Sequence, residues 1–85
     1  MNFIRPIDGD VLFSVADGTA CEDGISTQIT VSAPVGRSIF INGKLATEKN
    51  GVYYADVFID GYRNAIEAFD EESGELLTIY GYWFK

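Results

Sequence analysis

Eighty-five residues give room for one domain with a modest core, since a chain of this size buries only about two-thirds of the surface its unfolded form exposes. A hydrophobic content of 47% with 14% aromatic residues is too apolar for a disordered chain, and no uncharged apolar run approaches the ~18–20 residues of a membrane span. Thirteen acidic residues against six basic ones give a net charge of −7, which repels nucleic acid and anionic lipid alike, the more so because Arg5, Arg37, Lys44, Lys49, Arg63 and Lys85 are scattered singly.

Histidine is absent, which removes the commonest general base and excludes Ser-His and Cys-His nucleophile pairs. Cys21 is the lone cysteine, so no disulfide forms within the domain, and its neighbours Glu22 and Asp23 disfavour a reactive thiolate. Asn2, Phe3, Ile4 and Arg5 after Met1 do not follow the basic-then-apolar pattern of a signal peptide, so none is expected here, and localisation stays open on that count.

In chain order, Phe3-Ile4, interrupted by Pro6, and Val11 to Val15 read as a first strand broken at a bulge or sheet switch, with Pro6 at an edge. Residues 16–25 read as the longest loop. Ile29, Val31 and Ala33 alternate with Thr30 and Ser32, which predicts a strand with one apolar and one hydroxylated face. Ile39-Phe40-Ile41 runs into Asn42-Gly43, a pair that tolerates positive φ at both positions and predicts a type I′ hairpin returning through Lys44-Leu45-Ala46. Asn50-Gly51 predicts a second tight corner.

Tyr53, Ala55, Val57 and Ile59 then share one parity, and they are the expected core face because the opposite set contains Asp56. Asp60-Gly61 closes that strand. In the next one Asn64, Ile66 and Ala68 point inward while Arg63 and Glu67 point away. Tyr62 occupies the place where sandwich domains put a tyrosine that bonds upstream backbone, and Asn64 is expected to satisfy turn groups near Gly61. Asp70 to Glu75 reads as a polar hairpin connection and Leu76 to Phe84 as the last strand, so the whole chain reads as a small β-sandwich.

Several of these segments carry a resemblance. Ile-x-Val-x-Ala-Pro-x-Gly at 29–36, Ile-x-Ile-Asn-Gly at 39–43, Asn-Gly-Val-Tyr at 50–53, Val-x-Ile-x-Gly at 57–61 and Asn-x-Ile-x-Ala-x-Asp at 64–70 are together similar to the bacterial immunoglobulin-like accessory domains found beside catalytic modules in surface glycan-active enzymes and adhesins. The opening Arg5-Pro6-Ile7-Asp8-Gly9-Asp10 also resembles the start of such modules. The resemblance runs from about Ile25 to Phe84. It implies an all-β, immunoglobulin-like antiparallel sandwich of about seven strands in two sheets, with residues 1–85 as a single domain. It implies an extracellular or cell-surface role as a spacer or docking module, or less often a glycan-binding one, and brings no shared catalytic residues. The Cys-Trp-Cys framework of disulfide-bonded immunoglobulin domains is missing.

The aromatic residues give the main functional expectation. On the last strand Leu77, Ile79, Gly81 and Trp83 have one parity and Tyr80, Tyr82 and Phe84 the other, so with the aliphatic set inside, Tyr80 and Tyr82 join Phe40 and Phe69 on the outer face of one sheet. Such a patch suits docking of a neighbouring domain or another protein, stacking on a polysaccharide, or self-association. The plainer alternative is that the tyrosines only cover strands while Trp83 and Phe84 plug the sandwich. Acidic turns at Asp8/Asp10, Asp17, Glu22/Asp23 and Asp70 to Glu75 could bring calcium ligands together at one end, but none has EF-hand spacing, and solvated turns are the usual explanation on a net-negative chain. No catalytic role, cofactor or defined metal ligand is assigned.

Overall fold

The structure, a computed structural model, describes residues 1–12, 19–20 and 24–83. Within them the chain forms ten strands: β1 (Asn2–Arg5), β2 (Val11–Leu12), β3 (Thr19–Ala20), β4 (Ile25–Ser32), β5 (Ile39–Ile41), β6 (Lys44–Leu45), β7 (Thr47–Lys49), β8 (Val52–Ile59), β9 (Arg63–Asp70) and β10 (Leu76–Trp83). The first sheet runs β1-β4-β8-β7, with β3 also on β4, and the second runs β2-β10-β9-β5-β6. All pairings are antiparallel except β2 with β10. The fold is therefore an all-β sandwich. Seven of its strands have three residues or more, and β2, β3 and β6 are two-residue additions.

The alternation that predicted the long strands also builds the core. Ile25, Ile29 and Val31 from β4 and Tyr53, Ala55, Val57 and Ile59 from β8 meet Ile39, Ile41, Ile66, Ala68, Ile79 and Trp83 from the second sheet. Ile25 and Thr27 share the inward parity of β4, so that strand starts ahead of the Ile29 to Ala33 alternation, and β3 lies inside what reads as a loop. Phe13 to Val15 and Phe84 lie outside the described residues. The chain's first strand does switch sheets. β1 pairs with β4, with a register shift between Phe3 and Arg5, and β2 pairs with β10 in the other sheet, with buried Pro6 between them.

Both predicted corners take the left-handed backbone their sequences favour. Asn42 and Gly43 have φ of 49° and 78°, and Asn50 and Gly51 have 52° and 82°. Asn42 adds a second contribution, because its Oδ1 accepts the Glu67 N–H at 2.8 Å and extends the β5–β9 ladder by one residue. The short β7 carries Thr-Glu-Lys with no apolar alternation. Its register is set by the Asn50-Gly51 turn.

Two stretches of strand edge are covered locally. Along β10 the Asp8 carboxylate accepts the Tyr80 N–H at 2.8 Å and the Gly9 N–H donates to the Tyr80 carbonyl at 2.8 Å, so a loop satisfies both backbone groups of one edge residue. Lys44 Nζ donates to the Asp56 carbonyl of β8 at 3.3 Å.

Candidate functional site

Cross-strand register places the outward side chains of the second sheet in rows. Leu76 pairs with Phe69, Phe69 with Phe40, and Phe40 with Leu45, giving an apolar row across four strands. Leu45 is 61% exposed, Leu76 55% and Phe69 38%, and Phe40 is half-buried between its neighbours. The next row holds Thr78, Glu67 and Asn42. Beyond it Tyr80 faces Ala65, and Tyr82 faces both Arg63 and Val11.

The four expected residues thus share one face but form two groups. Phe40 and Phe69 are a direct cross-strand pair flanked by Leu45 and Leu76. Tyr80 and Tyr82 lie on the far side of the Thr78–Glu67 row. The Arg63 guanidinium carbon sits 4.2 Å from the Tyr80 ring centroid, and Tyr62 packs edge-on against Tyr82 with centroids 5.4 Å apart. The sequence does not group Leu45, Leu76, Arg63 and Tyr62 with the four aromatic residues, because only the register between strands brings them together.

The outer face of the first sheet is different in chemistry. β4 presents Ser26, Gln28, Thr30 and Ser32, while β8 adds Val52, Tyr54, Asp56 and Phe58. Phe58 lies over Gly24, whose absent Cβ would fall 2.6 Å from Phe58 Cζ.

At the end of the sandwich that carries the β9–β10 hairpin, polar groups converge for structural work. Asp70 reads in the sequence as part of a solvated connection, but it ends β9 at the inward parity of Ile66 and Ala68 and is 2% exposed. Its Oδ2 accepts from Arg37 Nη1 at 2.6 Å, and its Oδ1 accepts the N–H of Glu72 at 3.0 Å and of Ser73 at 3.4 Å. Burial pushes the Asp70 carboxyl up. The Ser73 hydroxyl, the Glu72 and Ser73 N–H groups and the Arg37 charge outweigh that and hold its pKa below the ordinary carboxylate value.

Tyr53 fixes the same loop from beneath, its hydroxyl donating to the Pro34 carbonyl at 2.7 Å and accepting the Arg37 N–H at 2.9 Å. Tyr62, just before β9, is 61% exposed. Asn64 does what its position predicts, with Nδ2 donating to the Gly61 carbonyl at 2.7 Å.

Three of the carboxylates considered for calcium are engaged individually. Asp8 takes the Tyr80 N–H, Asp10 takes the Ile7 N–H at 2.9 Å, and Asp70 takes Arg37. Among the described residues no three His, Cys, Asp or Glu side chains come together as a metal-binding group, while Asp17, Cys21, Glu22 and Asp23 lie outside those residues. No helix among the described residues is long and apolar enough to cross a membrane. Comparison with family models, with curated proteins and with solved structures gives no match.

Proposed function

We propose that this chain is an immunoglobulin-like, non-catalytic accessory module of a larger bacterial surface or secreted protein, a spacer or docking unit that works through the outer face of its second sheet. The immunoglobulin-like reading is supported by strand order. With β1, β4, β8 and β7 in the places of A, B, E and D, and β5, β9 and β10 in those of C, F and G, the two sheets follow the order of that fold. The docking reading is carried by one observation, the concentration of exposed Leu45, Phe69, Leu76 and Tyr80 on a single sheet face, whereas the face across the sandwich sets Val52 and Phe58 among Ser26, Gln28, Thr30, Ser32 and Asp56.

A second reading, carbohydrate binding, is favoured by the tyrosine end of that face. Arg63 covers one side of the Tyr80 ring and pairs across the strands with Tyr82, so guanidinium donors and phenol rings share that end of the face, a combination that suits a sugar ring and its oxygens.

A glycan panel probed with the chain and with Tyr80→Ala/Tyr82→Ala tests both readings, with turnover followed in the same wells. Binding that vanishes in the variant assigns the carbohydrate role. Hydrolysis of any panel member that a substitution in the chain abolishes overturns the non-catalytic assignment.

A further inference from the structure

Given a docking face on the second sheet, we propose that the Leu45–Phe40–Phe69–Leu76 row receives a basic amphipathic helix of a partner protein. Its apolar stripe lies along the row, and its Lys or Arg flanks lie over Glu67 on one side and Glu71 on the other. The row crosses four hydrogen-bonded strands. At a strand spacing of ~4.8 Å its ends are about 14 Å apart, a little under three turns of helix at a pitch of ~5.4 Å. It is one side chain wide along the strands, bounded by the Glu67 row and the β9–β10 hairpin, which matches the narrow stripe of a helix with apolar residues at every third and fourth position. A helix packed on a sheet face buries both apolar surfaces.

Charge selects the occupant. Glu72 meets Arg37 Nε at 3.6 Å and Glu75 meets the Met1 ammonium at 3.5 Å, whereas neither Glu67 nor Glu71 makes an ion pair among the described residues. The nearby cations are turned elsewhere: Arg63 onto Tyr80, Lys44 onto the Asp56 carbonyl and Arg37 onto Asp70. A row edged by acid on both sides favours a cationic partner. A second copy would bring two such edges together on chains of net charge −7, and the four apolar side chains offer a sugar no hydrogen bond.

The test titrates the purified chain with a synthetic Leu/Lys peptide patterned to place leucine on one helical stripe, and with its Leu/Glu counterpart, at low and high salt. The Leu/Lys peptide is expected to bind and the Leu/Glu peptide to fail. Phe40→Ser/Phe69→Ser is expected to weaken binding about tenfold or more, as central apolar contacts do. Glu67→Gln/Glu71→Gln is expected to weaken it about threefold and flatten its salt dependence. Leu45→Ser/Leu76→Ser, at more exposed positions, gives the same loss without disturbing half-buried Phe40. Leu/Lys binding that both apolar variants leave unchanged is attraction by net charge alone and overturns the proposal. So does equal binding of the two peptides, no binding of either, or sedimentation as a dimer that the apolar variants dissociate. Glycan binding that still depends on Tyr80 and Tyr82 would in each case leave the second sheet as the working face and confine the failure to the helix.

Discussion

The Arg37 guanidinium and the Asp70 carboxylate meet at 2.6 Å across the end of the sandwich, tying the β4–β5 loop to the β9–β10 hairpin. Asp70 is buried, while Arg37 keeps part of its side chain in solvent. The carboxylate is also bonded by the turn that follows it, so loss of its charge loosens two loops together.

The pH dependence follows in sign from the lowered Asp70 pKa. A carboxyl whose folded pKa lies below its unfolded value of about 3.9 contributes stability that is fully present above that value and disappears as pH falls through the folded pKa. Asp70→Asn should therefore lower the urea midpoint at neutral pH, and the gap from the parent chain should close as pH is taken below about 4. A gap that stays constant down to acid pH would show that the charge of Asp70 is not what the loops use.

Tyr53→Phe removes one hydroxyl and leaves the ring in the core. The Pro34 carbonyl and the Arg37 N–H then lose their shared partner in a half-buried loop. The expected cost is about 1–3 kcal/mol, read from denaturant unfolding. Unchanged stability would mean that water replaces the hydroxyl at no cost.

Gly24→Ala should be among the most damaging single changes. A Cβ at this position points directly at the Ile59 carbonyl oxygen and 2.6 Å from the Phe58 ring. The predicted loss is about 2–4 kcal/mol. Pairing the change with Phe58→Ala should recover part of that loss by removing the ring, but the backbone oxygen remains. Full recovery would assign the whole clash to Phe58.

Asn64→Ala leaves the Gly61 carbonyl without its 2.7 Å donor at the β8–β9 turn. A lowered denaturation midpoint corresponding to about 1–3 kcal/mol is expected, and Asn64→Asp should not rescue it, since a carboxylate cannot donate. Rescue by aspartate would refute the bond as the source of stability.

The long strands, both Asn-Gly corners and the inward faces were legible because each is a local signal: period-two alternation in β4 and β8, and residues that accept positive φ in the turns. Asp70 was misread because an acidic residue followed by Glu-Glu-Ser-Gly looks solvated, and nothing local reveals that Arg37, thirty-three residues earlier, lies within reach. β3 and β7 are too short and too polar to alternate visibly, and pairing alone makes them strands. The outer-face aromatics were legible as a parity. Their division into a phenylalanine row with leucine flanks and a separate tyrosine group depends on the offset between β9 and β10, which no single segment encodes.

The most direct measurement of whether the second sheet is the working face is ligand binding by four proteins side by side. These are the parent chain, Phe40→Ser/Phe69→Ser, Tyr80→Ala/Tyr82→Ala, and Gln28→Ala/Thr30→Ala on the opposite sheet, each against the glycan panel and the Leu/Lys peptide. A working face on the second sheet predicts that whatever binds the parent is lost in one of the two second-sheet variants and kept by the Gln28/Thr30 variant. Binding that survives in both second-sheet variants, or falls away when Gln28 and Thr30 are removed, would contradict it.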